Sequence, residues 1–120
     1  MLSVRIAYRD ALSQRYDALV DSGADLCVLD IEIAREIGIP LDGSLAREMG
    51  ILGHRSLAFP VTVKILVGAD AFETTVIFFE GLPMAGVLGR MGFFDNFTVT
   101  FDHSTKPPSF AYERIVRNQR

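Results

Sequence analysis

Along much of this chain apolar and polar positions alternate with the two-residue period of β-strands, and helical spacing surfaces only in short stretches. Ser3-Val4-Arg5-Ile6-Ala7-Tyr8 alternates loosely and predicts a strand, turned at Arg9-Asp10; residues 14–20 predict the return. Phe59-Pro-Val61-Thr-Val63-Lys-Ile65-Leu-Val67 puts an apolar residue at every second position, with Thr62 and Lys64 outward. Gly68-Ala69-Asp70 turns that strand and residues 72–79 pair back, the clearest hairpin in the chain. Pro60 lacks an N–H, which places it near the strand's start or on an edge. Glu80-Gly81-Leu82-Pro83 is a loop leading to a strand that ends in Val87-Leu88-Gly89. Phe97-Thr-Val99-Thr-Phe101-Asp102 alternates cleanly, residues 103–108 turn, and residues 109–112 return.

Two short helices interrupt the strands. Residues 26–29 are apolar and predict a brief strand, after which Asp30 is a good N-cap and Glu32 sits in the first turn. Ile33 and Ile37 share a face, and Gly38 and Pro40 end the helix. A helix of about two turns is too short to stand alone and must pack on the sheet. The second follows Arg90, carries Met91, Phe93 and Phe94, and stops near Asn96. The expected architecture is all-β with one or two short helices, a small closed barrel over residues 1–113 followed by a tail over 114–120.

Composition narrows the class. The chain has 120 residues, enough for one domain with a real core, and 49% hydrophobic against 22% charged residues excludes disorder. A net charge of −3, with no basic cluster interleaved with aromatics, argues against nucleic acid. No apolar run reaches the length of a membrane span, and no basic head precedes an apolar block, so a cytoplasmic setting without membrane partners is expected. The single Cys27 excludes an internal disulfide and a cysteine metal cage; after the acidic loop it reads as a small buried hydrophobe.

One stretch stands apart from ordinary core patterning. Ala18-Leu-Val-Asp21-Ser22-Gly23-Ala24-Asp25-Leu-Cys-Val-Leu-Asp30 sets an acidic turn between two apolar strands. Asp, Ser and Gly are ordinary turn residues, but charge clamped between core strands asks for a partner or a purpose. An apolar lead into Asp-Ser-Gly-Ala-Asp, with an apolar strand after it, resembles the active-site loop of retropepsin-like aspartic proteases. That family's second motif, an apolar pair then Gly and usually Arg, is matched by Gly86-Val87-Leu88-Gly89-Arg90. Together, in this order and in a chain of this size, the two halves are a strong signal.

The resemblance covers residues 4–94 and implies a single retropepsin lobe, an acid-protease-like barrel acting on peptide or protein substrates without a cofactor or metal. Such enzymes need two carboxylates sharing one proton, and this chain has a single Asp-Ser-Gly loop, so a homodimer contributing Asp21 from each copy is implied. Ser22 resembles the hydroxyl that ties the two loops together across the dimer. Gly23 leaves room for approaching backbone beside Ala24. Asp25 resembles the residue that pairs with the arginine of the second motif, here Arg90, in a partly buried pair. On local sequence alone residues 41–56 are a surface hairpin; the resemblance makes Gly50-Ile51-Leu52-Gly53 the tip of a flap closing over substrate. Fewer glycines than usual at that tip imply a stiffer hairpin or one closed by apolar contact. The end of the chain departs from the retroviral pattern, replacing the terminal interdigitating strand with the hairpin of residues 97–112, which resembles the bacterial members.

Two other readings compete. A fold of this kind that no longer cleaves would bind extended peptides by strand addition beneath the flap. Intact Asp21, Ser22 and Gly23 speak against it. Asp21, Asp25 and Asp30 as a cation loop would supply too few oxygens, with apolar residues where ligands belong. His54 in the hairpin and His103 in a turn have no companions at ligand spacing and read as surface residues.

Overall fold

The computed structural model describes residues 1–102 and 109–115. The first strand, β1 (Leu2–Tyr8), buries Leu2, Val4 and Ile6 on one side, the alternation expected of a strand with one face on a core. It turns through Arg9-Asp10 into the short β2 (Ala11–Leu12), and β3 (Tyr16–Val20) returns along β1 with Leu2 opposite Ala18. Ser13 is buried between them yet satisfied. Its Oγ accepts the Ile6 amide at 2.9 Å and donates to the Gln14 carbonyl at 2.7 Å.

β4 (Val28–Asp30) runs into α1 (Ile31–Glu36), and the long hairpin β5 (Arg47–Ile51), β6 (His54–Val67) and β7 (Asp70–Phe79) follows. β8 (Gly86–Leu88) and α2 (Phe93–Asn96) lead to β9 (Phe97–Asp102) and β10 (Ser109–Arg114). The order β1-β3-β8-β4-β7-β6 closes on itself where Arg5, Ile6 and Ala7 pair with Leu66, Ile65 and Lys64. The result is a closed six-stranded barrel, as the alternation implied, with β2 and β5 as outer extensions. β9 and β10 form a separate two-stranded ladder.

Several expectations shift in detail. The strand after the acidic loop begins at Val28, because Leu26 bridges to Met91 and Cys27 lends its carbonyl to the Ile77 amide. β3 begins at Tyr16, since the Gln14 amide is taken by the Glu36 carboxylate at 3.1 Å. Asp30 caps α1 as expected, accepting from the Glu32 amide. Pro60 lies mid-strand, opposite Ile77. There β6 has left β5 and not yet met β1, so one side is locally an edge and the missing N–H costs no ladder bond. Arg114 is the last residue of β10, its guanidinium donating to the Ala71 carbonyl. The expected turn over residues 103–108, and the tail beyond Ile115, lie outside the described residues.

Two apolar clusters result. The larger fills the barrel with Ile6, Ile65, Val76, Phe78, Leu88 and Phe93, and takes Ile31, Ile33 and Ala34 from α1. The smaller uses the opposite face of β7: Ile77 and Phe79 with Val28, Ala58 and Leu82. Met49 and Ile51 of β5, together with Leu26 and Met84, pack against it.

Candidate active site

The acidic loop is held by the strand between its two flanks. β8 runs parallel to β3, with Ala18, Leu19 and Val20 opposite Gly86, Val87 and Leu88. It runs antiparallel to β4, with Val28 opposite Val87 and Leu29 opposite Gly86. Both sequence motifs therefore end at one place. The Asp21 amide donates to the Leu88 carbonyl at 3.0 Å, fixing the residue at the mouth of the β3–β8 pair. Asp21 then turns the chain: its carbonyl accepts from the Ala24 amide at 3.1 Å and its Oδ1 from the Gly23 amide at 2.9 Å. This is the local hydrogen bonding that Asp offers a turn. One carboxylate oxygen is thereby oriented, and Asp21 is half-buried while Ser22, Gly23 and Asp25 are exposed.

Past the turn the loop is stitched to the end of the second motif. The Arg90 amide donates to the Ala24 carbonyl and the Met91 amide to the Asp25 carbonyl, each at 2.9 Å. Gly89 makes this approach possible, since a Cβ there would stand 2.4 Å from the Leu26 carbonyl oxygen and 2.7 Å from that of Ala24. Gly86 is similarly enclosed, its absent side chain giving way to Leu29. Asp25 and Arg90 form the expected ion pair. Its surroundings differ from expectation: the two side chains are 74% and 62% exposed, so the pair sits in water rather than partly buried.

Cys27 is fully buried, its thiol donating weakly to the Met91 carbonyl, and burial pushes that thiol above its ordinary range. Asp30 is committed to structure. Beyond capping α1 it accepts the Leu82 amide on Oδ1 at 3.1 Å, and its own amide bonds Ala85. With Asp25 on Arg90 and Asp30 on amides, the cation-loop alternative finds no converging ligands. Among the described residues no three His, Cys, Asp or Glu side chains gather as a metal site.

Gly50-Ile51-Leu52-Gly53 forms the tip of the β5–β6 hairpin, with Gly50 opposite Arg55 and Ile51 opposite His54. Leu52 (φ 50°) and Gly53 (φ 80°) both take left-handed backbone, the geometry of a tight two-residue hairpin turn. Leu52 is 51% exposed while Met49 and Ile51 face the smaller apolar cluster, so the hairpin has an apolar underside and an apolar tip. His54 is exposed at the tip, and His103 lies outside the described residues.

The structure thus joins Asp21–Asp25 to Val87–Arg90 by direct hydrogen bonds, and sets the hairpin over the cluster containing Leu26 and Val28. Sequence reasoning missed Leu26, Leu82 and Met84 as part of that cluster. The two-residue spacing of Met49 and Ile51 was the available signal for the hairpin's share of it. No protein-family model matches this chain, and no curated protein matches its sequence.

Proposed function

We propose that this chain is an aspartic endopeptidase of the retropepsin-like kind, active as a homodimer in which Asp21 of each copy meets across a two-fold axis. The observation that carries the proposal is the stitching of Asp21-Ser-Gly-Ala-Asp to Val87-Leu-Gly-Arg through Leu88, Ala24 and Asp25. That network leaves Asp21 accessible on a rigid base, with one carboxylate oxygen fixed by the Gly23 amide. The β5–β6 hairpin, with Met49 and Ile51 on its apolar underside, suits an extended peptide carrying apolar side chains.

In this mechanism the two carboxyl groups hold one water and one shared proton. The ionised Asp21 takes a proton from water as its oxygen bonds to the scissile carbonyl carbon, and the protonated Asp21 gives its proton to the carbonyl oxygen. Collapse of the tetrahedral gem-diol breaks the C–N bond, with a proton passing to the leaving nitrogen. No covalent enzyme intermediate is formed, and Ser22 holds loops rather than attacking. A mixture of unfolded protein substrates incubated with the chain, with new termini read by mass spectrometry, tests this. Cleavage by wild type and none by Asp21→Asn is expected. Peptide retention by both, with cleavage by neither, would make the chain a peptide-binding module and overturn the proposal.

A further inference from the structure

The seam where the barrel closes leaves a gap along the outer edge of β6. This strand runs along β7 without a bulge, so its backbone groups alternate between its two edges. The Leu57 carbonyl accepts from the Glu80 amide at 3.1 Å on the β7 side, so even-numbered residues turn their N–H and C=O away from β7. Those up to Ala58 face β5, while Lys64 and Leu66 face β1. On β1 the Ile6 amide and carbonyl are both spent on Ser13, which turns Ala7 toward Lys64. In a straight strand Arg9 would come next, opposite Thr62. Arg9 instead takes left-handed backbone (φ 53°) and leads the chain off into β2. Among the described residues nothing pairs with the Thr62 N–H and C=O on that edge.

A cleft of about 320 Å³ opens at this place, its walls including Ala7, Tyr8, Arg9, Thr62, Lys64 and Glu73. That volume falls within the range of ligand pockets. The Thr62 hydroxyl bonds that of Thr75 at 2.9 Å, which draws the side chain toward β7 and away from the open edge. The Arg9 guanidinium lies 5.3 Å from the centre of the Tyr8 ring. Among the described residues none of Arg9, Lys64 and Glu73 forms an ion pair. Two unpaired cations and one carboxylate thus flank a strand edge that offers a free donor and a free acceptor. Such an edge is a template for an added strand.

We propose that this cleft docks an extended acidic peptide segment, one residue of which takes the place that Arg9 vacates opposite Thr62. The N–H and C=O of that residue complete the Thr62 pair and continue the line of β1. The two-residue period of a strand puts its side chain on the outer face with those of Ala7 and Thr62, diagonal to Lys64 and beside the turn that carries Arg9. A carboxylate there meets two cations against the single charge of Glu73; a basic side chain meets the reverse. A free phosphate satisfies the cations but leaves the Thr62 donor and acceptor unmatched as a pair. The inference stands apart from the peptidase reading, since the cleft shares no residue with the acidic loop or its second motif.

Amide chemical shifts of the Asp21→Asn chain, which spares the probe from any hydrolysis, test this with a blocked five-residue peptide centred on glutamate. Saturable shifts at Ala7, Thr62 and Lys64 are expected. Arg9→Gln combined with Lys64→Gln is expected to weaken binding about tenfold, and Glu73→Gln to tighten it about threefold. The same peptide with glutamine at its centre is expected to bind about fivefold more weakly. A peptide N-methylated at its glutamate cannot donate to the Thr62 carbonyl and is expected to lose about fivefold or more. Absence of saturable shifts at these residues overturns the inference, as does a glutamine or N-methylated peptide that binds as tightly as the parent. Inorganic phosphate that reproduces the shifts would make the cleft a small-anion site and overturn the peptide. Shifts confined to residues 21–25 and 49–53 would mean that the peptide is held only as a substrate, sinking the docking site while the peptidase reading stands. Docking in the cleft with no hydrolysis by wild type would do the opposite.

Discussion

Asp25 and Arg90 meet across 65 positions of chain, and the worth of their meeting depends on the water around them. Had both been buried, removing one would leave an uncompensated charge at a cost of about 3–5 kcal/mol. With both side chains mostly exposed, solvent screens the pair and its net contribution falls to about 0–1 kcal/mol. The backbone bonds from the Arg90 and Met91 amides hold the loop regardless of the side chain. Arg90→Ala is therefore expected to cost under about 1 kcal/mol in urea denaturation of the single chain. A loss of several kcal/mol in the single chain would mean that the pair is shielded from water. Cys27 is the opposite case, a thiol taken out of water. Its proton is held more tightly folded than unfolded, because burial disfavours the thiolate. As pH rises past about 8.5 the unfolded chain loses the proton first, so stability present below that pH drains away above it. Wild type is expected to lose stability between pH 8 and pH 10 more steeply than Cys27→Ala, measured by urea midpoints at each pH. Equal slopes would show that the thiol titrates alike in both states.

At the scale of elements, the site depends on strands that approach more closely than side chains allow. Gly89→Ala drives a methyl into the Leu26 and Ala24 carbonyl oxygens, neither the end of a flexible side chain. About 3 kcal/mol of stability or more is expected to be lost, with thermal melting as the measurement. Unchanged melting would mean that the loop can retreat from β8 freely. The β5–β6 hairpin offers a contrasting case. Leu52 holds left-handed backbone that costs a side-chain-bearing residue about 1–2 kcal/mol, while its side chain is half in water. Leu52→Gly is expected to leave melting unchanged or raise it, while lowering kcat/KM if the leucine closes on substrate. A variant as active as wild type would show that the tip makes no contact in the reaction. These elements also mark what could be read from sequence. The β6–β7 hairpin was plain because β6 alternates from Phe59 to Val67 and the turn carries Gly68, and α1 was announced by the Asp30 cap, the Ile33–Ile37 spacing and the Gly38 and Pro40 stop. The two site motifs were visible as spaced residues. Their stitching was not, since carbonyl-to-amide bonds between Ala24 and Arg90 leave no trace in side-chain pattern. Burial of the ion pair was misjudged for a related reason: exposure depends on what covers a loop, and nothing local to residues 21–25 encodes that. The smaller cluster was hidden because Val28, Ala58, Ile77 and Leu82 come from four separate segments.

At the scale of the whole molecule, the barrel closes completely while the chemistry proposed for it remains half-built, and this asymmetry gives the sharpest test. Closure of β1 on β6 does not involve the Asp21 side chain, so Asp21→Asn is expected to fold as wild type does. One carboxylate cannot serve at once as the base toward water and the acid toward the carbonyl. On the proposed shared dyad, activity is expected to follow the number of dimers with two aspartates rather than the number of wild-type chains. If equal amounts of wild-type and Asp21→Asn chains exchange without preference, about a quarter of dimers carry two aspartates. Before mixing, on the same proposal, half of all dimers are wild-type pairs and fully active. Activity per wild-type chain is therefore expected to fall by about half once exchange is complete. Differently tagged chains, recovered together by affinity capture, verify the exchange, and initial rates on one peptide give the activity. Rates that stay proportional to the wild-type chain through verified exchange would mean that each barrel works alone. In that event the shared dyad is wrong, and a single Asp21 must find its second acid or base within its own chain.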